Sequence, residues 1–192
     1  ADANGFILVH PEALDDIYGS SYWNIKGWSQ SVHDDIKFTE NLINLLMDKY
    51  SINAERIYST GMSNGGFFSF HLACNLNASF AAVASVTGSM TYSTFDNCNP
   101  RKPTPVIQIH GSLDVTVPYK GSDTRNMKPI MDVMEYWKVS NACDDYVLSL
   151  PGILPGTTSW TETYQYSNCL NDTENIHLYV QGAGHVWPGS IY

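Results

Sequence analysis

Basic residues are scarce in this sequence. Ten Lys and Arg stand against 19 Asp and Glu, a formal net charge of −9 over 192 residues. A nucleic-acid surface needs a cationic stripe to neutralise phosphates, and none is visible, which excludes that class. Long apolar runs are also missing. A membrane-spanning helix needs roughly 18 or more consecutive apolar residues, and no run here approaches that length. The four cysteines, Cys74, Cys98, Cys143 and Cys169, include no Cys-x-x-Cys pair, which argues against zinc and thioredoxin-like sites. The chain opens on polar residues, Ala1-Asp2-Ala3-Asn4, so an exported form is expected to have lost its leader already. Internal repeats, linkers and low-complexity segments are absent.

What is present is a globular composition, 43% hydrophobic and only 15% charged, enough for one domain with a real core. Residues 5–10 form a short apolar run halted by Pro11, the pattern of a buried strand. A loop rich in Tyr, Trp, Gly and Ser follows, with Tyr22, Trp23 and Trp28. The periodicity predicts helices over 34–50, 64–76 and 128–141. Strands are predicted over 57–60, 80–86, 106–110 and 176–180, with 160–166 alternating like an edge strand. Strands that alternate with helices predict a mostly parallel sheet with helices on both faces. The cysteines fit either two disulfides in an exported protein or four buried thiols in a cytosolic one. Low Lys and abundant Tyr, Asn, Ser and Thr favour export. Asn77 and Asn171 head glycosylation sequons, which matter only in a eukaryotic secretory host.

The sharpest chemical signal is Gly61-Met62-Ser63-Asn64-Gly65-Gly66, between a predicted strand and a predicted helix. This is the setting of a nucleophile elbow, where a serine hydroxyl projects above the sheet at a helix N-terminus. Glycines suit a turn too tight for side chains, and Gly66 lets the helix approach the sheet. The backbone N–H of Asn64 is placed to meet a developing oxyanion. A serine hydroxyl is a poor nucleophile without a base, so an acid and a histidine should follow in that order, each after a strand. Asp114 follows the strand ending at His110, and His185 follows the strand ending at Val180. Asp123, in the same loop as Asp114, is a substitute for the acid. His71, on the second predicted helix, reads as packed or exposed, His177 as a strand residue, and His10, His33 and His110 as loop or strand-end residues.

At these residues the sequence resembles the polyhydroxybutyrate depolymerase/feruloyl esterase family of secreted serine esterases. The resemblance runs over nearly the whole chain. It rests on Ala3-Asn4-Gly5-Phe6, on the stretch from Arg56 through the elbow to Gly66, and on Leu72-Ala73-Cys74 and Phe80-Ala81-Ala82-Val83-Ala84. It rests further on His110-Gly111-Ser112-Leu113-Asp114, Val117-Pro118-Tyr119 and the stretch from Gly182 to Gly189. The resemblance implies an α/β-hydrolase fold and a catalytic triad of Ser63, Asp114 and His185. It also implies disulfides Cys143–Cys169 and Cys74–Cys98. Relatives carry a further segment before residue 1, with the first strands and a second oxyanion donor, and a last helix after Tyr192. The chain is therefore expected to be one incomplete α/β-hydrolase catalytic domain, residues 1–192, with a gap between the strand at 5–10 and that at 57–60.

The expected activity is carboxylic ester hydrolysis through an acyl-enzyme, with no metal or organic cofactor. The resemblance implies hydroxycinnamoyl esters on plant polysaccharide or short-chain hydroxyalkanoate polyesters as substrates, and a secreted or periplasmic location. Trp187 and Trp23 are candidates for an aromatic wall around the acyl group. A peptidase, thioesterase or acyltransferase would use the same three residues. A non-catalytic binding protein usually lacks one of them, and here all three are present.

Overall fold

The computed structural model describes residues 1–27, 32–153 and 159–190; Trp28 lies outside these. The element order is α1 (Asp35–Lys49), β1 (Tyr58–Met62), α2 (Asn64–Asn75), β2 (Ala82–Val86) and a short α3 (Tyr92–Asp96). It continues with β3 (Val106–Gly111), α4 (Ile130–Ser140), β4 (Tyr146–Ile153), β5 (Trp160–Tyr166) and β6 (Asn175–Val180). The six strands form one sheet in the order β1-β2-β3-β6-β5-β4. The β1–β2, β2–β3 and β3–β6 pairs are parallel, whereas β5 runs antiparallel to both β6 and β4.

Local chemistry sets the helix boundaries. Asp34 caps α1 by accepting from the Lys37 N–H at 2.9 Å, satisfying one of the orphan donors of the first turn. Asp35 is buried and accepts from the Asn24 N–H at 2.7 Å, tying the preceding loop to the helix. Nine of the twelve residues of α2 are buried, which is why its apolar residues run all round instead of along a stripe.

Register settles which side chains share a face of the sheet. Gly61 lies opposite Ser85, Ser85 opposite Gln108, and Gln108 opposite His177. On this side Ser69 of α2 meets Ser59 at 2.9 Å, and Asn141, just after α4, donates to Asn175 Oδ1 at 2.7 Å. Both helices therefore cover the same face, over a core that includes Phe67, Phe70, Met134, Trp137 and Tyr166. On the opposite face Thr60 and Ile107 are exposed, and Ile109, Ile176 and Leu178 remain half-buried.

Three expectations change. Residues 5–10 form no strand: they pair with nothing among the described residues, and Phe6, Ile7 and Leu8 are about half exposed. An apolar run becomes a strand only beside a ladder partner, and β1 pairs only with β2 among the described residues. The gap expected inside the sheet is thus an open edge. The strand at 160–166 lies between β6 and β4 instead of at the margin. The true edge there is β4, whose alternation is hidden by Pro151 and Gly152 and by an irregular register between Ser149 and Gly152. Proline is tolerated in an edge strand because one side makes no ladder bonds.

Two disulfides tie the periphery. Cys74, in the last turn of α2, is bonded to Cys98 beyond α3. Cys143, beyond α4, is bonded to Cys169 beyond β5.

Candidate active site

Ser63, Asp114 and His185 each follow the C-terminal end of a parallel strand: β1, β3 and β6 respectively. Parallel strands place those ends along one rim, the rim where open α/β sheets bind ligands. Ser63 is the residue between β1 and α2. Its backbone has φ 54° and ψ −120°, a costly conformation for a residue with a Cβ. The turn is held by the Ser63 N–H donating to the Val86 carbonyl at 2.9 Å and the Phe67 N–H donating to the Ser63 carbonyl at 3.0 Å.

The glycines around it have distinct reasons. A Cβ on Gly61 would lie 2.5 Å from the Gly65 carbonyl carbon, and one on Gly66 would lie 2.7 Å from Ser85 Oγ and 3.1 Å from the Gly88 Cα. A Cβ on Gly65 itself would meet nothing within 4 Å. Crowding therefore explains Gly61 and Gly66 but not Gly65.

Asn64 opens α2, so its backbone N–H belongs to the first turn, whose N–H groups have no intrahelical acceptor. Its side chain grips Trp23 from both sides: Oδ1 accepts from the Trp23 N–H at 2.9 Å, and Nδ2 donates to the Trp23 carbonyl at 3.1 Å. The Trp23 indole stacks on Phe68 with centroids 4.8 Å apart and planes 7° apart. Trp23 is thus packed against α2, whereas Trp187 is 45% exposed in the turn after His185.

His185 and Asp114 meet. His185 Nδ1 lies 2.8 Å from Asp114 Oδ2. A carboxylate only accepts, so Nδ1 is the donor, and in the neutral imidazole Nε2 is then the nitrogen with the free lone pair. The Asp114 side chain is fully buried, and its charge is compensated locally. Oδ1 accepts from the Thr116 and Val117 N–H groups at 2.9 and 2.8 Å, as a buried carboxylate requires. Ser63 and His185 make no hydrogen bond to each other among the described residues. Asp123 faces elsewhere and accepts from the Tyr92 hydroxyl.

The two loops that carry Asp114 and His185 are laced together. The Ser112 N–H donates to the Val180 carbonyl at 3.0 Å and the Leu113 N–H to the Ala183 carbonyl at 2.9 Å. The Gly182 N–H donates to Ser112 Oγ at 2.8 Å. A Cβ on Gly111 would sit 2.3 Å from the Ala183 carbonyl oxygen, so the two loops approach closely only because that residue is glycine.

Beneath Asp114 lies a buried polar layer built on His110, which the sequence presents as a loop or strand-end residue, and His177, which it presents as a strand residue. His110 is 1% exposed. Its Nε2 is 2.8 Å from the Val117 carbonyl and 3.5 Å from Asp114 Oδ2, and its Nδ1 is 2.9 Å from Gln108 Nε2. His177 Nδ1 donates to the Gln108 carbonyl at 3.1 Å, and Tyr119 donates its hydroxyl proton to His177 Nε2 at 2.8 Å. Burial pushes the His177 imidazole down to about 4 and His110 below the usual range. The available signal was two polar residues, Gln108 and His110, two apart on a strand otherwise Val and Ile.

His71 is also buried, 3.0 Å from Thr94 Oγ1, and burial lowers it to about 4. It lines a cavity of about 580 Å³ with Lys26, His33, Asn75 and Thr94, which none of Ser63, Asp114 or His185 borders. No group of His, Cys, Asp and Glu suited to a metal ion occurs among the described residues.

A mainly parallel sheet with a strained serine after one strand, and a bonded Asp–His pair after two others, has the architecture of an α/β-hydrolase. The chain belongs to the Phospholipase/Carboxylesterase family of that fold, whose pattern matches residues 16–135. Among curated proteins it is 24% identical over 185 residues to the bifunctional acetylxylan esterase/xylanase XynS20E of Neocallimastix patriciarum, covering 96% of this chain and 25% of that protein. It is 28% identical over 172 residues to feruloyl esterase B of Piromyces equi, covering 85% of this chain and 31% of that protein. The chain thus spans about a quarter to a third of the length of these two relatives. The solved structure of an acetyl xylan esterase from Aspergillus awamori superposes with a TM-score of 0.56 at 16% identity, over 80% of this chain and 63% of that one. This supports the fold alone.

Proposed function

We propose that this chain is the catalytic part of a carboxylic ester hydrolase in which Ser63 is the nucleophile, His185 the general base and Asp114 its orienting acid. The observation that carries this reading is the Asp114–His185 hydrogen bond on the rim where Ser63 closes its strained turn. Ser63 Oγ attacks the ester carbonyl while its proton passes to His185 Nε2, the nitrogen left unprotonated by the bond to Asp114. The carbonyl oxygen becomes an oxyanion, and the Asn64 N–H at the start of α2 donates to it. Collapse of the tetrahedral intermediate breaks the bond to the alcohol, which leaves with the proton from His185. Water, deprotonated by the same imidazole, then attacks the acyl-Ser63 ester and releases the carboxylic acid.

The substrate reading is a hydroxycinnamoyl or related ester on plant polysaccharide. Its support is the family membership and the similarity to feruloyl and acetylxylan esterases. The exposed Trp187, two residues beyond His185, offers a flat apolar surface for an aromatic acyl group. Two disulfides suit an oxidising, extracellular setting. A panel of methyl hydroxycinnamates, short aryl esters, acetylated xylan and polyhydroxyalkanoate film, assayed on the wild type and Ser63→Ala, tests the reading. Turnover of a hydroxycinnamate that Ser63→Ala abolishes is the expected result. Turnover that survives Ser63→Ala, or none on any ester, overturns it.

A further inference from the structure

We infer that His110 is a positioning residue for Asp114, acting as a neutral imidazole that holds the turn from which the acid takes its two amide hydrogen bonds. The inference rests on the triad reading and deepens it. Gln108 Nε2 lies 2.9 Å from the Gly88 carbonyl and 2.9 Å from His110 Nδ1. A carbonyl accepts only, so this atom is the amide nitrogen and donates to both. His110 Nδ1 is therefore the unprotonated nitrogen, and Nε2 carries the hydrogen that goes to the Val117 carbonyl at 2.8 Å.

That bond closes a small ring of contacts. Val117 is held at its carbonyl by His110, and its own N–H, with that of Thr116, points at Asp114 Oδ1. Asp114 Oδ2 is left to His185 at 2.8 Å, with His110 Nε2 no nearer than 3.5 Å. The groups facing the His110 ring are Asp114, the Val117 and Gly88 carbonyls, Gln108, Tyr119 at 5.9 Å between centroids, the His185 imidazole and, through Gln108, the neutral His177. Burial disfavours a charge on His110, and a proton on Nδ1 would confront the Gln108 amide. The carboxylate therefore has one imidazole at hydrogen-bond distance, His185, and a second, His110, that fixes its direction through the Val117 turn.

The test compares two amides of different reach. Gln at position 110 carries its NH₂ out to where Nε2 stands and can bond the Val117 carbonyl; Asn stops near Nδ1 and cannot. In the full chain, kcat and KM on the best ester are measured for His110→Gln and His110→Asn, with active-site titration and thermal unfolding to separate turnover from folding. His110→Asn should lose about ten- to a hundredfold in kcat, by analogy with outer hydrogen bonds that orient metal ligands, at unchanged KM, and His110→Gln should restore most of it. Equal kcat in the two variants, or a loss confined to KM or to the fraction of active sites, overturns the inference. Ser63→Ala separates the two levels: activity that survives it sinks the triad reading. A dead Ser63→Ala beside a His110→Asn of wild-type kcat sinks only the role of His110.

Discussion

His185 Nδ1 reaches Asp114 Oδ2 at 2.8 Å across 71 residues of sequence, whereas Asp123, nine residues past Asp114, turns to the Tyr92 hydroxyl. Asp114→Asn should therefore cost about 10⁴-fold in kcat, because an amide can present its own N–H to Nδ1 and favour the wrong imidazole tautomer. Asp123→Asn should leave kcat/KM unchanged. Steady-state kinetics of both variants on an aryl ester checks this, and the reverse ranking would move the acid to Asp123.

Crowding at the serine turn gives a contrast between adjacent glycines. Gly61→Ala forces a methyl group against the Gly65 backbone and should cost about 1–3 kcal/mol of stability, as overpacking usually does. Gly65→Ala meets open space inside the first turn of α2, so it should be neutral or stabilising by up to about 1 kcal/mol through helix propensity. Urea unfolding of the two variants distinguishes them; equal midpoints contradict the packing account.

His71 and His177 should make the fold acid-sensitive well above the carboxylate range. Both are held neutral down to about pH 4 in the native state by burial, whereas an unfolded histidine takes a proton near 6.5. Below 6.5 the unfolded chain binds more protons than the native one, so stability rises with pH through this window and is lost as pH falls from 6.5 towards 4. At pH 5 each histidine should cost about 2 kcal/mol relative to pH 7. Denaturant midpoints at these two pH values measure the effect; identical midpoints would show that both imidazoles protonate freely in the fold.

The two disulfides close loops of 24 and 26 residues in sequence separation. Chain-entropy reasoning assigns each about 3 kcal/mol, lost on reduction. Non-reducing peptide mapping should find Cys74 with Cys98 and Cys143 with Cys169, and thermal unfolding in excess reductant should shift to lower temperature. Four free thiols, or another pairing, would remove this contribution.

Much of the fold was legible because β3 and β6 are short apolar-rich runs whose inward side chains alternate with less buried ones, bounded by turn residues. The strands around Val106 and Ile176 fell within a residue or two of their observed limits, and both the Asp114 and His185 loops followed from them. The Gly-rich approach to Ser63 was legible because the crowding at Gly61 and Gly66 leaves room for no other residue. Residues 5–10 misled because hydrophobicity marks a run fit for a strand without saying whether a neighbour exists. β4 was invisible because Pro151 and Gly152 break its alternation. His110 escaped as a site residue because its partner is a backbone carbonyl seven positions away, a contact that exists only once the loop has folded back.

The stitching between the Asp114 and His185 loops has a mechanical consequence. Three hydrogen bonds and the close approach at Gly111 join the loops of Asp114 and His185 into one block on β3 and β6. Ser63 belongs to another block, β1 with α2, which β2 separates from the first. The two blocks meet through β2 and the turn after it, where the Ser63 N–H bonds the Val86 carbonyl and the Gln108 side chain the Gly88 carbonyl. The distance from Ser63 to His185 becomes a single coordinate, set by how two preassembled halves sit across one intervening strand. Substitutions along β2 are the ones that reach both halves at once, so that strand is the place from which the reactive gap is tuned without touching either half.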